Sequence, residues 1–217
     1  MEINTGTRKI VTPDSFRSKV SSFIDKMNET IRTEFGKMSV PVVDLHSHFG
    51  SPDRSDLLDP RYAIGDNAHL NIEGQKKMAR VMNEEYFREC DDFDLVVCLG
   101  DSHTQGWPVR TDTSRNGEVI DIELDSPHQY PFWLSKWTGR SFINRGIAGN
   151  TYYGMLNRFN NDVVRHFPDH CIVQGGTNDA LLGTPFHESF SDLKNIVDLC
   201  LENEITPVVC TIIPLGF

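Results

Sequence analysis

Hydrophobic residues recur along this chain in two rhythms, and the rhythms alternate. Phe16, Val20, Phe23, Ile24, Met27, Ile31, Phe35 and Met38 step by three and four, which predicts one helix over residues 13–38 with one face on a core. Thr12 is its expected N-cap and Pro13 its first helical residue. Ile72, Met78, Ala79, Met82 and Tyr86 predict a second helix from Asn71 to about Arg88, and Phe190, Leu193, Ile196, Val197 and Cys200 a later one. A short aromatic helix is expected at 131–137 and a longer one at 151–167. Between them lie short stretches read as strands, at 40–45, 95–99, 142–145, 171–174 and 206–213; Leu95–Leu99, apolar with no polar alternation and too short for a stand-alone helix, reads as a buried parallel strand. Pro41 falls at the start of the first run, where a missing donor is tolerated. Residues 1–12, 46–67 and 105–128 are polar and without period. Five strands alternating with helices predict a three-layer α/β/α sandwich around one parallel sheet.

Composition narrows the setting. The 217 residues suit one domain of the larger kind. A formal charge of −10, from 31 acidic and 21 basic residues with no basic run, argues against nucleic acid or an anionic membrane as partner. No apolar run approaches a membrane span, and Met1-Glu2-Ile3-Asn4-Thr5-Gly6 lacks a leader pattern, so a cytoplasmic protein is expected. The five cysteines, Cys90, Cys98, Cys171, Cys200 and Cys210, lack metal-type spacing and are expected to be reduced core thiols.

Chemistry enters at the strand ends. The run Leu95-Val96-Val97-Cys98-Leu99 stops at Gly100-Asp101-Ser102, and ligands of open α/β sheets bind outside the carboxyl ends of strands. Ser and Asp also start helices, so this turn alone is more often a cap than a catalytic site. Two further strand ends carry Ala148-Gly149-Asn150 and Gly176-Thr177-Asn178-Asp179. Acyl transfer needs a nucleophile and donors aimed at an oxyanion. Ser102 offers the hydroxyl; its own N–H, the Gly149 N–H and the Asn178 amide offer the donors. Asp66-Asn67-Ala68-His69 supplies a carboxylate three residues before an imidazole, so Asp66 can hold one ring nitrogen of His69 while the other faces Ser102. Asp179 is expected to fix the turn that aims Asn178. His103 either touches substrate or is exposed, and Trp107, Tyr152 and Tyr153 either line a pocket or pack in the core.

These blocks together resemble the SGNH hydrolases, the GDSL esterases and lipases, and Leu70-Asn71-Ile72-Glu73-Gly74 is similar to the usual continuation of the family's Asp-x-x-His block. The resemblance implies a flavodoxin-like fold with Ser102 as nucleophile, His69 as base, Asp66 as its orienter, and Ser102, Gly149 and Asn178 as oxyanion donors. It implies a serine esterase acting on a small ester, such as an acetylated carbohydrate, a lipid or an aryl ester, or an acyltransferase using the same acyl-enzyme, with no cofactor and no metal. One departure is large: in the family the Asp-x-x-His block follows the serine, whereas here it precedes it. Circular permutation accounts for this order, with residues 1–88 equivalent to the usual C-terminal part and 94–217 to the usual N-terminal part of a single domain. The connection from Arg88 to Phe93 reaches up to ~20 Å, enough to cross one layer spacing of ~10 Å. Segments 1–12 and 214–217 would then flank the substrate mouth.

A rival chemistry lies in Asp44-Leu45-His46-Ser47-His48, which resembles the His-x-His metal motif of amidohydrolases. That family uses a (β/α)8 barrel of typically ~250 residues, and neither eight strands nor a second ligand cluster is evident in this chain. A non-catalytic binding module is the third reading; the intact Ser, His and Asp positions weigh against it.

Overall fold

The computed structural model describes residues 14–107 and 126–216; the Thr12-Pro13 helix start, most of the 105–128 segment and Phe217 lie outside them. In chain order the elements are α1 (Asp14–Thr30), β1 (Val42–Val43), α2 (Leu45–Phe49), α3 (Ile72–Glu85), β2 (Leu95–Gly100), α4 (Ser102–Gln105), α5 (Tyr130–Thr138), β3 (Ser141–Gly146), α6 (Tyr152–Asn157), α7 (Phe159–Asp162), β4 (His170–Gln174), α8 (Thr177–Leu182), α9 (Phe186–Glu202) and β5 (Thr206–Cys210). The five strands form one all-parallel sheet in the order β1-β5-β4-β2-β3. Numbered from β2 round to β1, that order becomes 2-1-3-4-5, the flavodoxin-like arrangement.

The sheet is covered on both faces, which is why its strands are continuous apolar runs. Val97, Leu99, Cys171, Val173 and Val209 face a core shared with α1, α6, α7 and α9. Their neighbours Val96, Cys98, Ile172, Val208 and Cys210 face the opposite core under α2, α3 and α5. This strict alternation is the pleat of a strand buried on both sides. All five cysteines are free, four of them buried, and burial raises the Cys98 and Cys210 thiols above their ordinary pKa.

Three predicted elements differ in extent. The first helix passes through a wider π turn at Ile31–Phe35, where the Thr30 and Thr33 hydroxyls donate to the Lys26 and Glu29 carbonyls at 2.8 and 2.9 Å. Such bonds compete with the backbone ladder and bend helices. The strand expected at 40–45 shrinks to Val42–Val43, because Asp44 turns the chain: its carboxylate pairs with Arg32 at 2.8 Å and its N–H donates to Glu85. β5 likewise ends at Cys210; past it the Ile212 backbone bonds the Asn28 side chain at 2.7 and 2.9 Å instead of a strand.

The helix expected at 151–167 is broken at Arg158 and again at Val163, both outside helical dihedrals. Arg158 is where tertiary bonds compete: its guanidinium donates to Asn150 Oδ1, the Arg145 carbonyl, the Gly100 carbonyl and Asp162. No helix among the described residues is long and apolar enough to cross a membrane.

Candidate active site

The register of the sheet brings three strand ends to one level. Gly100 at the end of β2 pairs with Gly146 on β3 and with Gln174 on β4, so the turn after β2 is flanked by the turns after its two neighbours. α4 packs tightly over this edge: a Cβ on Gly146 would lie 2.1 Å from the Gln105 nitrogen, which leaves only glycine there. Asp101 is the N-cap of α4, its carboxylate accepting from the His103 N–H at 2.9 Å. Capping therefore falls to Asp101 and leaves the Ser102 hydroxyl for another partner.

That partner is His69. Its Nε2 lies 2.9 Å from Ser102 Oγ, and its Nδ1 lies 2.6 Å from Asp66 Oδ2. A carboxylate accepts only, so Nδ1 carries the hydrogen and Nε2 is free to accept the serine proton. The loop that presents this pair is closed locally: Ala63 bridges Leu70, and Asn71 bonds the Arg61 and Ala63 carbonyls while capping α3 through the Gly74 N–H. Asn67 takes the left-handed conformation at the tip, which Asn tolerates. Asp66 Oδ1 accepts the Ala68 and His69 N–H groups at 3.0 and 2.9 Å. Partial burial works against its charge, but these donors and the His69 ring hold the carboxyl below the ordinary carboxylate pKa. Ser102 is 7% exposed.

The remaining predicted positions line up around the serine turn. Gly149 follows β3 with φ +82 and open space where a Cβ would stand, so its backbone conformation rather than crowding calls for glycine. Ala148 beside it donates to Gln105 Oε1 at 2.6 Å. Asn178 sits in the first turn of α8, and its amide donates to the Asn150 carbonyl at 2.9 Å. Asp179 is buried and accepts from the Ser189 hydroxyl and the Tyr152 N–H, tying α8 to α9 and α6. Its desolvation raises its pKa.

Other expectations change. His103 is 1% exposed, so the exposed reading is wrong; its ring lies between Asp101 and Ala68, with centroid 5.6 Å from that of His69. Tyr152 is core, donating to the Gly175 carbonyl at 3.0 Å, whereas Tyr153 is exposed and Trp107 flanks His69 at 6.1 Å. His46 and His48 do not converge: one ring bonds the Ile212 carbonyl at 2.9 Å and the other Glu85 at 2.8 Å. No group of three or more His, Cys, Asp or Glu among the described residues is placed to hold a metal. At the C-terminal side, Leu215 pairs with Leu57 and the Gly216 N–H donates to the Asn67 carbonyl at 2.7 Å, so 215–216 lie against the loop that carries His69. Segment 1–12 is outside the described residues.

Arg158 and Gln105 carry no motif in the sequence, and Asn150 enters it only as the neighbour of Gly149. Arg158 ties the ends of β2 and β3 to Asn150, which in turn receives the Asn178 amide. The spacing of Arg158 and Asp162 at i and i+4 was the one local signal, and it reads equally as a surface pair.

The fold is thus a parallel α/β sheet with Ser102 at the end of an inner strand and the Asp66–His69 pair facing it. The profile of the GDSL-like Lipase/Acylhydrolase family matches residues 98–217, more than half of the chain, and the chain belongs to that family. The match contains Ser102, Gly149 and Asn178 and begins after Asp66 and His69. Among solved structures the chain is similar to a protein assigned to the lipolytic G-D-S-L family from Desulfitobacterium hafniense DCB-2, at 26% identity over 53% of this chain and 57% of that one, with a TM-score of 0.44. It is also similar to the GDSL-like lipase from Bacteroides thetaiotaomicron VPI-5482 (23% identity, 64% and 57% coverage, TM-score 0.40) and to the psychrotrophic esterase EstA from Pseudoalteromonas sp. (20%, 56% and 61%, 0.44). The chain thus spans less than two thirds of each of those chains. No curated protein matches the sequence.

Proposed function

We propose that the protein is a serine esterase that cleaves a small-molecule carboxylic ester through a covalent acyl-enzyme. The observation that carries this reading is the unbroken line from Ser102 Oγ through the His69 ring to Asp66, at 2.9 and 2.6 Å. His69 Nε2 takes the Ser102 proton as Oγ attacks the ester carbon. The oxyanion forms against the Ser102 and Gly149 N–H groups and the Asn178 amide. His69 then gives its proton to the leaving alcohol, and water attacks the acyl-enzyme with the same base, releasing the acid and restoring the serine. Asp66 fixes the ring tautomer and offsets the imidazolium charge. Family membership and the placement of glycine and asparagine turns on either side of Ser102 support the assignment.

The Asp-His-Ser order is read as circular permutation within one domain, supported by the sheet order, which becomes 2-1-3-4-5 when numbered from β2. An ester panel graded in acyl length and including acetylated sugars tests the function. Ser102→Ala should keep the circular dichroism and melting of the parent while hydrolysis falls by about 10^6-fold, the scale seen when serine hydrolases lose their nucleophile. Parent-level turnover in that variant sinks the assignment.

A further inference from the structure

The residue after the serine makes contacts that the proposed triad does not use. His103 Nε2 lies 2.9 Å from the Ala68 carbonyl and Nδ1 lies 3.2 Å from Asp101 Oδ1. A carbonyl oxygen only accepts, so Nε2 bears a hydrogen; a carboxylate also only accepts, so Nδ1 bears one too. A ring donating at both nitrogens is an imidazolium, here buried and paired with Asp101. The Nε2 bond crosses 35 residues, from the turn that carries Ser102 to the peptide just before His69. Asp66 holds the N–H of that same Ala68 at 3.0 Å, so the residue is gripped on both sides. The grip matters because the His69 and Asp66 side chains are themselves 24% and 40% exposed.

We propose that His103 is a positioning residue for the hydrolytic reaction, its doubly protonated ring strapping the Ala68 carbonyl to the nucleophile turn and so holding His69 Nε2 against Ser102 Oγ. The proposal rests on the esterase reading above. The titratable groups facing the ring are Asp101 from its own turn and Asp66 and His69 from the opposing loop; α3 presents the neutral Gln75 amide, which donates to the His103 carbonyl at 2.9 Å. Burial opposes the charged ring, and Asp101 with the Ala68 carbonyl outweighs it, so the pKa of His103 stands above the ordinary histidine value. A raised pKa means the strap is complete at and below the ordinary histidine range and loosens as pH rises through the folded value.

Glutamine places its Nε2 where the histidine Nε2 stands, whereas asparagine reaches only the Nδ1 position. His103→Asn and His103→Leu should lower kcat by about 100-fold with KM little changed, and His103→Gln should restore it to within about tenfold, the scale expected when a catalytic group shifts by an ångström. The parent should show an alkaline loss of kcat that His103→Gln, having no proton to lose, lacks. Nitrogen-15 NMR of labelled histidine should show both His103 ring nitrogens protonated at neutral pH in the parent and in Ser102→Ala, whether or not His103→Leu folds. A singly protonated ring, equal kcat in the Asn and Gln variants, or a change in KM instead of kcat overturns the strap. Absence of ester turnover in the parent overturns the esterase reading instead. The strap is then decided by whether the His69 Nε2 resonance shifts in His103→Asn and stays unchanged in His103→Gln.

Discussion

At the scale of single residues, the site depends on which atoms can only accept. Asp66 leaves His69 one tautomer, and that tautomer turns the basic nitrogen toward Ser102. Asp66→Asn keeps the shape and the two backbone bonds to its Oδ1 position but offers an amide that can donate, so the wrong ring nitrogen can be protonated. The expected outcome is a loss of about 10^3- to 10^4-fold in kcat, as tautomer errors of this kind produce, with the melting temperature nearly unchanged. The acid side follows from the depressed Asp66 pKa: its grip on the loop is present above the ordinary carboxylate value and is lost as pH falls through the folded one. The kcat profile of the parent should therefore fall in acid, and Asp66→Asn should lack the part of that fall due to this carboxylate. Similar acid dependence in the two proteins would show that Asp66 is not the group that orients the base.

At the scale of elements, Arg158 joins the ends of β2 and β3 to the turn that receives the Asn178 amide, and its desolvation lowers its pKa against the pull of Asp162. Arg158→Met would leave Asp162 buried without its counter-charge, a change that costs about 3–5 kcal/mol when one partner of a buried pair is removed. A chain of this size shifts by about 2–4 °C per kcal/mol, so thermal melts should drop by roughly 10 °C, with kcat falling alongside as the Asn150 turn loosens. An unchanged melt would mean the clamp is incidental. The same residue shows where the sequence stopped being legible. The strand to Ser102 could be read because burial on both faces erases polar alternation, and the Asp66–His69 pair because both partners lie within one turn of chain. The break in the 151–167 helix could not, since the acceptors that compete for Arg158 come from Gly100 and Arg145, far away in sequence. The exposed reading of His103 fails for the same reason: its partner Ala68 is a backbone carbonyl, which no residue pattern reveals. His46-Ser47-His48 is the opposite case, a local motif whose rings turn to separate partners, Ile212 and Glu85.

At the scale of the whole molecule, His69 and Ser102 come from opposite sides of the connection between α3 and β2. Residues 14–85 bring α1, the edge strand β1, α3 and the Asp66–His69 loop; residues 95–216 bring the other four strands and Ser102. The two parts are sewn together by side chains, with Asn28 bonding the Ile212 backbone and Gln75 bridging the His103 carbonyl and the Tyr130 N–H. If the order of blocks is a permutation, the connection at 86–94 is a tether and not part of the site. Its middle is solvent-facing at Asp91 and Asp92, and the opposite junction is close at hand: Asp14 and Leu57 line one surface groove, and Leu57 pairs with Leu215. A chain opened between Asp91 and Asp92 and joined from Phe217 to Met1 runs in the order Ser102, Gly149, Asn178, His69. Lengthening a connecting loop costs only about 0.6 kcal/mol for each doubling, so the rearranged protein should melt within a few degrees of the parent and hydrolyse the same esters at a comparable rate. Equal circular dichroism with turnover lost would show that the α3–β2 connection sets the His69-to-Ser102 distance itself. Failure to fold would show that the two parts are not interchangeable halves of one domain, which removes the permuted reading and leaves the Asp-His-Ser order as a feature the fold requires.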